Sequence, residues 1–186
     1  FVNSGGGTTE YRNASDISLS TTQSIYNHLV INTSSGVITT QLSNITLNGD
    51  FHVKQGIYRI NDNSSGSAAK RNLIIYGDVT VNSGASVTVG TGSTNTTTTP
   101  TGITGGTAPF LDYYEHFHRV VMYGDFTNNG TVRFTNLTYP VYNGFPPLGS
   151  GATSGAASVY FMGNTNSILL CNGITDFYNL ILDKGS

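Results

Sequence analysis

The stretch Leu47-Asn48-Gly49-Asp50-Phe51 recurs as Ile75-Tyr76-Gly77-Asp78-Val79 and as Met122-Tyr123-Gly124-Asp125-Phe126. In each copy a Gly-Asp pair separates two short runs in which apolar residues alternate with polar ones. Apolar residues two positions apart lie on one face of a β-strand. Glycine and aspartate both favour turns, and the aspartate side chain can accept a hydrogen bond from a backbone N–H group. The pattern therefore predicts a strand, a tight turn and a second strand, three times over.

The sequence around the Gly-Asp pairs repeats as well. A further glycine follows each pair, at Gly56, Gly84 and Gly130, and another alternating run follows that glycine. The distance from one Gly-Asp pair to the next is not constant. A repeat of variable length is typical of a coiled β structure with loops inserted into some of its coils.

Two all-β architectures are compatible with this repeat. In a parallel β-solenoid, or β-helix, successive coils stack their short strands and bury a narrow apolar interior. In an antiparallel β-sandwich, the alternative, the same strands pair within two facing sheets. We expect the solenoid, because corners that stack on one another need the same backbone conformation in each coil and therefore recur with the same residues. On this interpretation Gly49, Gly77 and Gly124 all adopt a positive φ angle, which favours glycine.

The repeat also predicts how the chain is organised. Residues 91–118 and 138–157 are rich in Thr, Gly, Ser and Pro and are predicted as two loop excursions from one solenoid segment, residues 1–186. Tyr26-Asn27 and Tyr178-Asn179 stand near opposite ends, as if the chain returned to its starting point. This return, and the lack of a visible cap at either end, predict a longer repetitive chain or end-to-end contacts between copies.

Composition excludes several classes of partner. Charged residues make up 10% of the chain, the net charge is −2, and the eight Lys and Arg residues are scattered. Nucleic-acid binding needs clustered basic residues, so we expect no nucleic-acid partner. No run reaches the roughly 18 to 20 apolar residues of a membrane span, so we expect no membrane insertion. The single cysteine, Cys171, cannot form an internal disulfide.

The segment before Arg119 breaks the repeat and contains two histidines, His116 and His118, close to Asp112 and Glu115. Histidine and carboxylate side chains bind divalent metals, but a site needs ligands at a consistent spacing. Two histidines without a clear third ligand do not meet that requirement. We therefore predict no metal site and no cofactor.

The same segment is the candidate site of glycan contact. Flat aromatic faces combined with a carboxylate suit sugar rings. The candidate residues are Asp112, Tyr113, Tyr114, His116 and His118.

The recurring aspartates could also be interpreted as calcium ligands or as catalytic acids. One aspartate in each coil supplies too few oxygens for calcium. Enzymes that degrade polysaccharides need clustered carboxylates, whereas the ten acidic residues here are scattered. We predict structural turns for Gly49, Asp50, Gly77, Asp78, Gly124 and Asp125, and a non-catalytic protein with no catalytic residues. A carbohydrate-binding module and a β-helix polysaccharide lyase or hydrolase are the alternatives.

Asn-Gly-Asp-Phe or Tyr-Gly-Asp-Val, followed by a glycine and Val-Thr-Val, resembles the repeats of very large secreted surface proteins of Bacteroidetes bacteria. The run Phe177-Tyr178-Asn179-Leu180-Ile181-Leu182-Asp183 strengthens the resemblance, which covers residues 8–90 and 120–186. Those proteins are similar to filamentous adhesins and are often exported through the type IX secretion system. The resemblance implies an extracellular, cell-surface stalk segment. Its expected partners are neighbouring repeats or copies of itself, and also surface glycans.

Overall fold

A computed structural model describes residues 6–62, 71–90, 118–135 and 155–185. These residues form eighteen β-strands arranged in six coils. No helix capable of spanning a membrane is present within the described ranges.

Each coil contributes three strands. The first three coils contain β1 (Thr8–Tyr11), β2 (Ile17–Ser18) and β3 (Ile25–Tyr26); β4 (His28–Asn32), β5 (Ile38–Gln41) and β6 (Ile45–Leu47); and β7 (Phe51–Gln55), β8 (Ile57–Ile60) and β9 (Asn72–Ile75). The last three contain β10 (Val79–Val81), β11 (Ser86–Val89) and β12 (His118–Met122); β13 (Phe126–Asn128), β14 (Thr131–Arg133) and β15 (Ala157–Gly163); and β16 (Leu169–Cys171), β17 (Ile174–Asp176) and β18 (Asn179–Lys184).

The strands form three parallel sheets that run the length of the described structure. The first strand of every coil belongs to sheet A, the second to sheet B and the third to sheet C, and each sheet has six strands. Each strand pairs in parallel with the corresponding strand of the next coil. The expected parallel β-solenoid is confirmed, and the antiparallel sandwich is excluded.

The alternating runs point their apolar residues into the solenoid. Because the strands are in register, the residue at one inward position packs on the residue at the same position of the next coil. In sheet A these residues are Leu29, Phe51, Val79 and Phe126. In sheet C they are Leu47, Ile75, Met122 and Phe161. All of them are buried, so the core is a set of apolar columns parallel to the axis.

The long connections all begin and end at one corner, where sheet B passes to sheet C. They join β8 to β9, β11 to β12, and β14 to β15, in three successive coils. The excursions predicted at 91–118 and 138–157 lie outside the described residues, apart from His118 and residues 155–157. Of these, His118 and Ala157 belong to strands. The first connection, residues 61–71, was not predicted. An insertion at a corner lengthens one coil without shifting its strands from register, which explains the variable repeat.

The Tyr-Asn motif does not mark a return to the starting point. Tyr26 lies in β3 of sheet C, and the sheet register aligns it, coil by coil, with Leu182 in the last coil. Tyr178 instead precedes β18, at the corner between sheets B and C. The two motifs therefore occupy different positions in their coils, and the similarity is local.

The prediction of a positive φ angle at Gly49, Gly77 and Gly124 is wrong. Positive φ angles occur instead at glycines such as Gly56 and Gly84, between sheets A and B. At the Gly-Asp pairs the constraint is space. A Cβ atom on Gly77 would overlap Oδ1 of Asp50, one on Gly124 would overlap Oδ1 of Asp78, and one on Gly49 would overlap the His28 ring.

We therefore expect Gly77→Ala to lower the free energy of unfolding by about 1–3 kcal/mol, the usual cost of overfilling a close contact. Urea denaturation of the two proteins measures this difference. Gly7→Ala is the matched control, because no atom lies within 4 Å of a Cβ added at Gly7. Equal effects of the two substitutions would contradict the steric explanation.

Candidate functional site at the corners and ends of the solenoid

The three Gly-Asp pairs lie one above another where sheet C passes to sheet A, and we call this column the Gly-Asp corner (residues 49–50, 77–78 and 124–125). Oδ1 of Asp50 accepts a hydrogen bond from the Asp78 N–H at 2.9 Å. Oδ1 of Asp78 accepts from the Asp125 N–H at 2.8 Å. Oδ1 of Asp125 accepts from the Ile168 N–H at 2.8 Å. Each aspartate thus links its own coil to the next one.

His28 occupies the first position of this ladder. Its Nδ1 accepts a hydrogen bond from the Asp50 N–H at 3.0 Å and also lies 3.3 Å from Asp50 Oδ2. The contact with Oδ2 is an ion pair only when the imidazole is protonated. The ladder ends at Ile168, whose side chain has no acceptor. It therefore begins with an imidazole, continues through three carboxylates and stops at the last coil.

The geometry of the corner gives these aspartates a structural task. In each aspartate, one carboxylate oxygen accepts a hydrogen bond from the backbone of the neighbouring coil. The three carboxylates belong to three successive coils. Across the described part of the chain, no group of three or more His, Cys, Asp or Glu residues could hold a metal ion.

Four of the five candidate glycan contacts, Asp112, Tyr113, Tyr114 and His116, lie outside the described residues. The fifth, His118, begins β12 and is fully buried. Its Nδ1 accepts a hydrogen bond from the Arg71 N–H at 3.0 Å. A buried side chain cannot contact an external sugar, so the assignment of His118 to an exposed glycan surface is wrong. Its position before an alternating apolar run was the signal that it belongs to a strand.

The last coil leaves its inward positions uncovered, and we call its outer side the open end (β16, β17 and β18). Leu169, Leu180 and Leu182 are 41%, 42% and 70% exposed. The residues aligned with them one coil earlier are buried: Phe126, Val159 and Phe161. Each of the three strands also has no partner among the described residues on its outer edge. The sequence did not indicate which residues of the last described coil would be exposed.

At the opposite end the inward positions are covered, and we call it the closed end (β1, β2 and β3), although within the described residues its strands likewise lack a partner on their outer edges. Leu19 and Tyr26 in the first coil are buried, and the Tyr11 and Tyr26 hydroxyls lie 3.4 Å apart. On the outside of the same coil, Glu10 accepts hydrogen bonds from Arg12 at 2.7 Å and from Asn32 at 2.9 Å. These two hydrogen bonds lower the pKa of Glu10 to about 2. The inward side chains are therefore covered at the closed end and exposed at the open end.

Two buried tyrosines near the closed end make stability depend on pH. Burial raises the pKa of Tyr26 and of Tyr58 above the usual 10.0, and the Tyr58 hydroxyl donates to Gln41 Oε1 at 2.9 Å. In the unfolded chain both phenols lose their protons near pH 10, whereas in the folded chain they stay neutral. Their contribution is complete below pH 10 and is lost as the pH rises above it.

We expect the free energy of unfolding to fall above pH 10 by up to about 1.4 kcal/mol per pH unit for each of these tyrosines. Urea denaturation at a series of alkaline pH values measures the slope. The double variant Tyr26→Phe/Tyr58→Phe cannot ionise at these positions and should show a shallower slope. An unchanged slope in that variant would contradict the assignment.

Comparisons with known proteins leave the function to be argued from the chain itself. No family model, no curated protein and no solved structure matches this chain. The resemblance of its motifs to bacterial surface repeats therefore stays a hypothesis. The Gly-Asp corner and the open end are the surfaces from which a function can be inferred.

Proposed function

We propose that this chain is a non-catalytic structural segment, part of the stalk of an extracellular filament or adhesin at the cell surface. The observation that carries the proposal is the continuity of the three parallel sheets through all six described coils. The hydrogen bonds of a sheet run perpendicular to its strands, and hence along the solenoid axis. Three sheets in parallel resist extension and bending, which is what a stalk requires.

The Gly-Asp corner adds to this stiffness. Backbone hydrogen bonds between coils continue where the chain turns from sheet C to sheet A, as from the Gly77 N–H to the Gly49 carbonyl at 3.1 Å. The aspartate side chains add a further hydrogen bond between coils at this corner. A hydrogen bond of this kind contributes on the order of 1 kcal/mol. The same use of Asp50, Asp78 and Asp125 supports a non-catalytic role, because each carboxylate serves its neighbouring coil.

The open end supports the proposal that neighbouring repeats or copies of the chain are its partners. Covering a leucine side chain stabilises by roughly 1.5–3 kcal/mol. Leu169, Leu180 and Leu182 together offer a substantial gain to any coil that stacks on them. Unpaired strand edges favour the same event, since they accept further strands. A further coil with three parallel strands and an apolar interior would cover the leucines and pair with the strand edges.

In solution, we expect the 186-residue chain to self-associate through the open end. Leu169→Glu/Leu182→Glu places charge on that surface and should shift the sedimentation coefficient to that of a monomer. Thr80→Glu is the control, because Thr80 lies in β10, which is paired on both sides and distant from both ends of the solenoid. A wild-type chain that sediments as a monomer at all concentrations would contradict this proposal.

A second experiment tests location. Antibodies raised against the described solenoid should label intact cells that express the protein, and electron microscopy should place the label on filaments. Labelling that requires permeabilised cells would overturn the assignment to the cell surface.

A further inference from the structure

Exposed apolar side chains are concentrated at the open end. Among the described residues eight large apolar side chains are exposed, and six of them belong to the last coil. These six are Ile168, Leu169, Leu170, Ile174, Leu180 and Leu182. A contiguous apolar surface of this kind marks a site of contact with another apolar surface.

The closed end of a second copy is one possible partner. In such a head-to-tail contact, the three sheets of one copy would continue in register into the next. The register of sheet A would then stack Leu169 on Thr9 and Leu170 on Glu10. A leucine side chain placed against a carboxylate removes water from the charge without supplying a hydrogen-bond partner. Sheet A therefore opposes the head-to-tail contact.

The other two sheets also match the closed end poorly. In sheet B, Ile174 would stack on Asp16, whose Oδ1 accepts a hydrogen bond from the Ile38 N–H at 2.9 Å. In sheet C, Leu182 would stack on Tyr26. Tyr26 is already fully buried, so it has little apolar surface to offer. The closed end thus presents acidic or covered residues to the apolar residues of the open end.

A second open end has the matching chemistry. Two copies related by a twofold axis perpendicular to the solenoid axis present the same surface to each other. The inward side chains of the three strands converge on one narrow interior, so the leucines of one copy meet the leucines of the other. The twofold axis reverses the strand direction, and the unpaired strand edges of the two last coils therefore meet antiparallel. Both the apolar side chains and the strand edges gain a partner in this way.

We propose that two copies of this chain join open end to open end in a closed dimer. The two sets of six described coils then form one rod, with a closed end at each tip. This inference rests on the proposed function, because it specifies which contact between copies the stalk segment makes. The dimer uses both open ends, so assembly through this surface stops at two copies. A head-to-tail contact would instead continue into an open-ended filament.

The distance between spin labels, measured by double electron–electron resonance, tests the orientation of the two copies. In a Cys171→Ser background, Ala14→Cys places one label on an exposed residue between β1 and β2, at the closed end. In the proposed dimer eleven steps of about 4.8 Å separate the two labels, so we expect roughly 53 Å or slightly more. A head-to-tail contact would place the labels six coils apart, at roughly 29 Å. The shorter distance would overturn the proposal.

Two variants and the mass of the assembly complete the test. Ile25→Glu places charge on an exposed residue of the closed end and should leave the dimer and the label distance unchanged. Leu169→Glu/Leu182→Glu should abolish both. In sedimentation equilibrium the mass should rise to that of two chains and stop there as the concentration increases.

The outcomes distinguish this inference from the proposed function. Loss of association in Ile25→Glu, or a mass that grows beyond two chains, would overturn the open-end dimer but keep self-association of the stalk segment. A wild-type chain that stays monomeric at all concentrations would overturn the dimer together with the proposal that copies of the chain are its partners.

Discussion

The in-register stacking of one coil on the next is the constraint on which the rest of this structure depends. Because every strand pairs with its counterpart in the neighbouring coils, each residue must be compatible with the residue above it and the residue below it. Inward positions become apolar columns, such as Leu29, Phe51, Val79 and Phe126. Residues at the corners also form columns, and the Gly-Asp pairs form the column at the corner between sheets C and A. Glycine leaves room for the aspartate below, and that aspartate bonds to the backbone above.

In-register stacking restricts the strands and the corner between sheets C and A, whereas the length of the connection between sheets B and C can vary. All the long connections between described strands join sheet B to sheet C, so extra residues accumulate there without disturbing the register. The two remaining corners are shorter and carry the recurrent glycines. A solenoid can thus keep a uniform core while its coils differ in length, which is how the sequence repeat comes to be irregular.

Much of the fold could be predicted from the alternation of apolar and polar residues and from the recurrent Gly-Asp pair, because both depend on residues that are close in sequence. What failed depended on neighbours in other coils. The reason for Gly77 lies in the side chain of Asp50, twenty-seven positions earlier, which spacing alone does not reveal. The burial of His118 depends on its place in sheet C, and the similarity of Tyr26 and Tyr178 disappears once the register is known. For the candidate sites, the mismatch between the open end and the closed end likewise requires the alignment of every coil.

The central claim is the parallel register itself, and disulfide trapping tests it most directly. Thr80 in β10 is aligned with Thr127 in β13. Adjacent strands lie about 4.8 Å apart, which is within the Cα–Cα range of a disulfide. In a Cys171→Ser background, the account predicts that Thr80→Cys/Thr127→Cys oxidises rapidly to an intramolecular disulfide. Thr80→Cys/Thr88→Cys should not, because Thr88 lies in sheet B. A disulfide between positions 80 and 88, with none between 80 and 127, would indicate an antiparallel hairpin and contradict the solenoid.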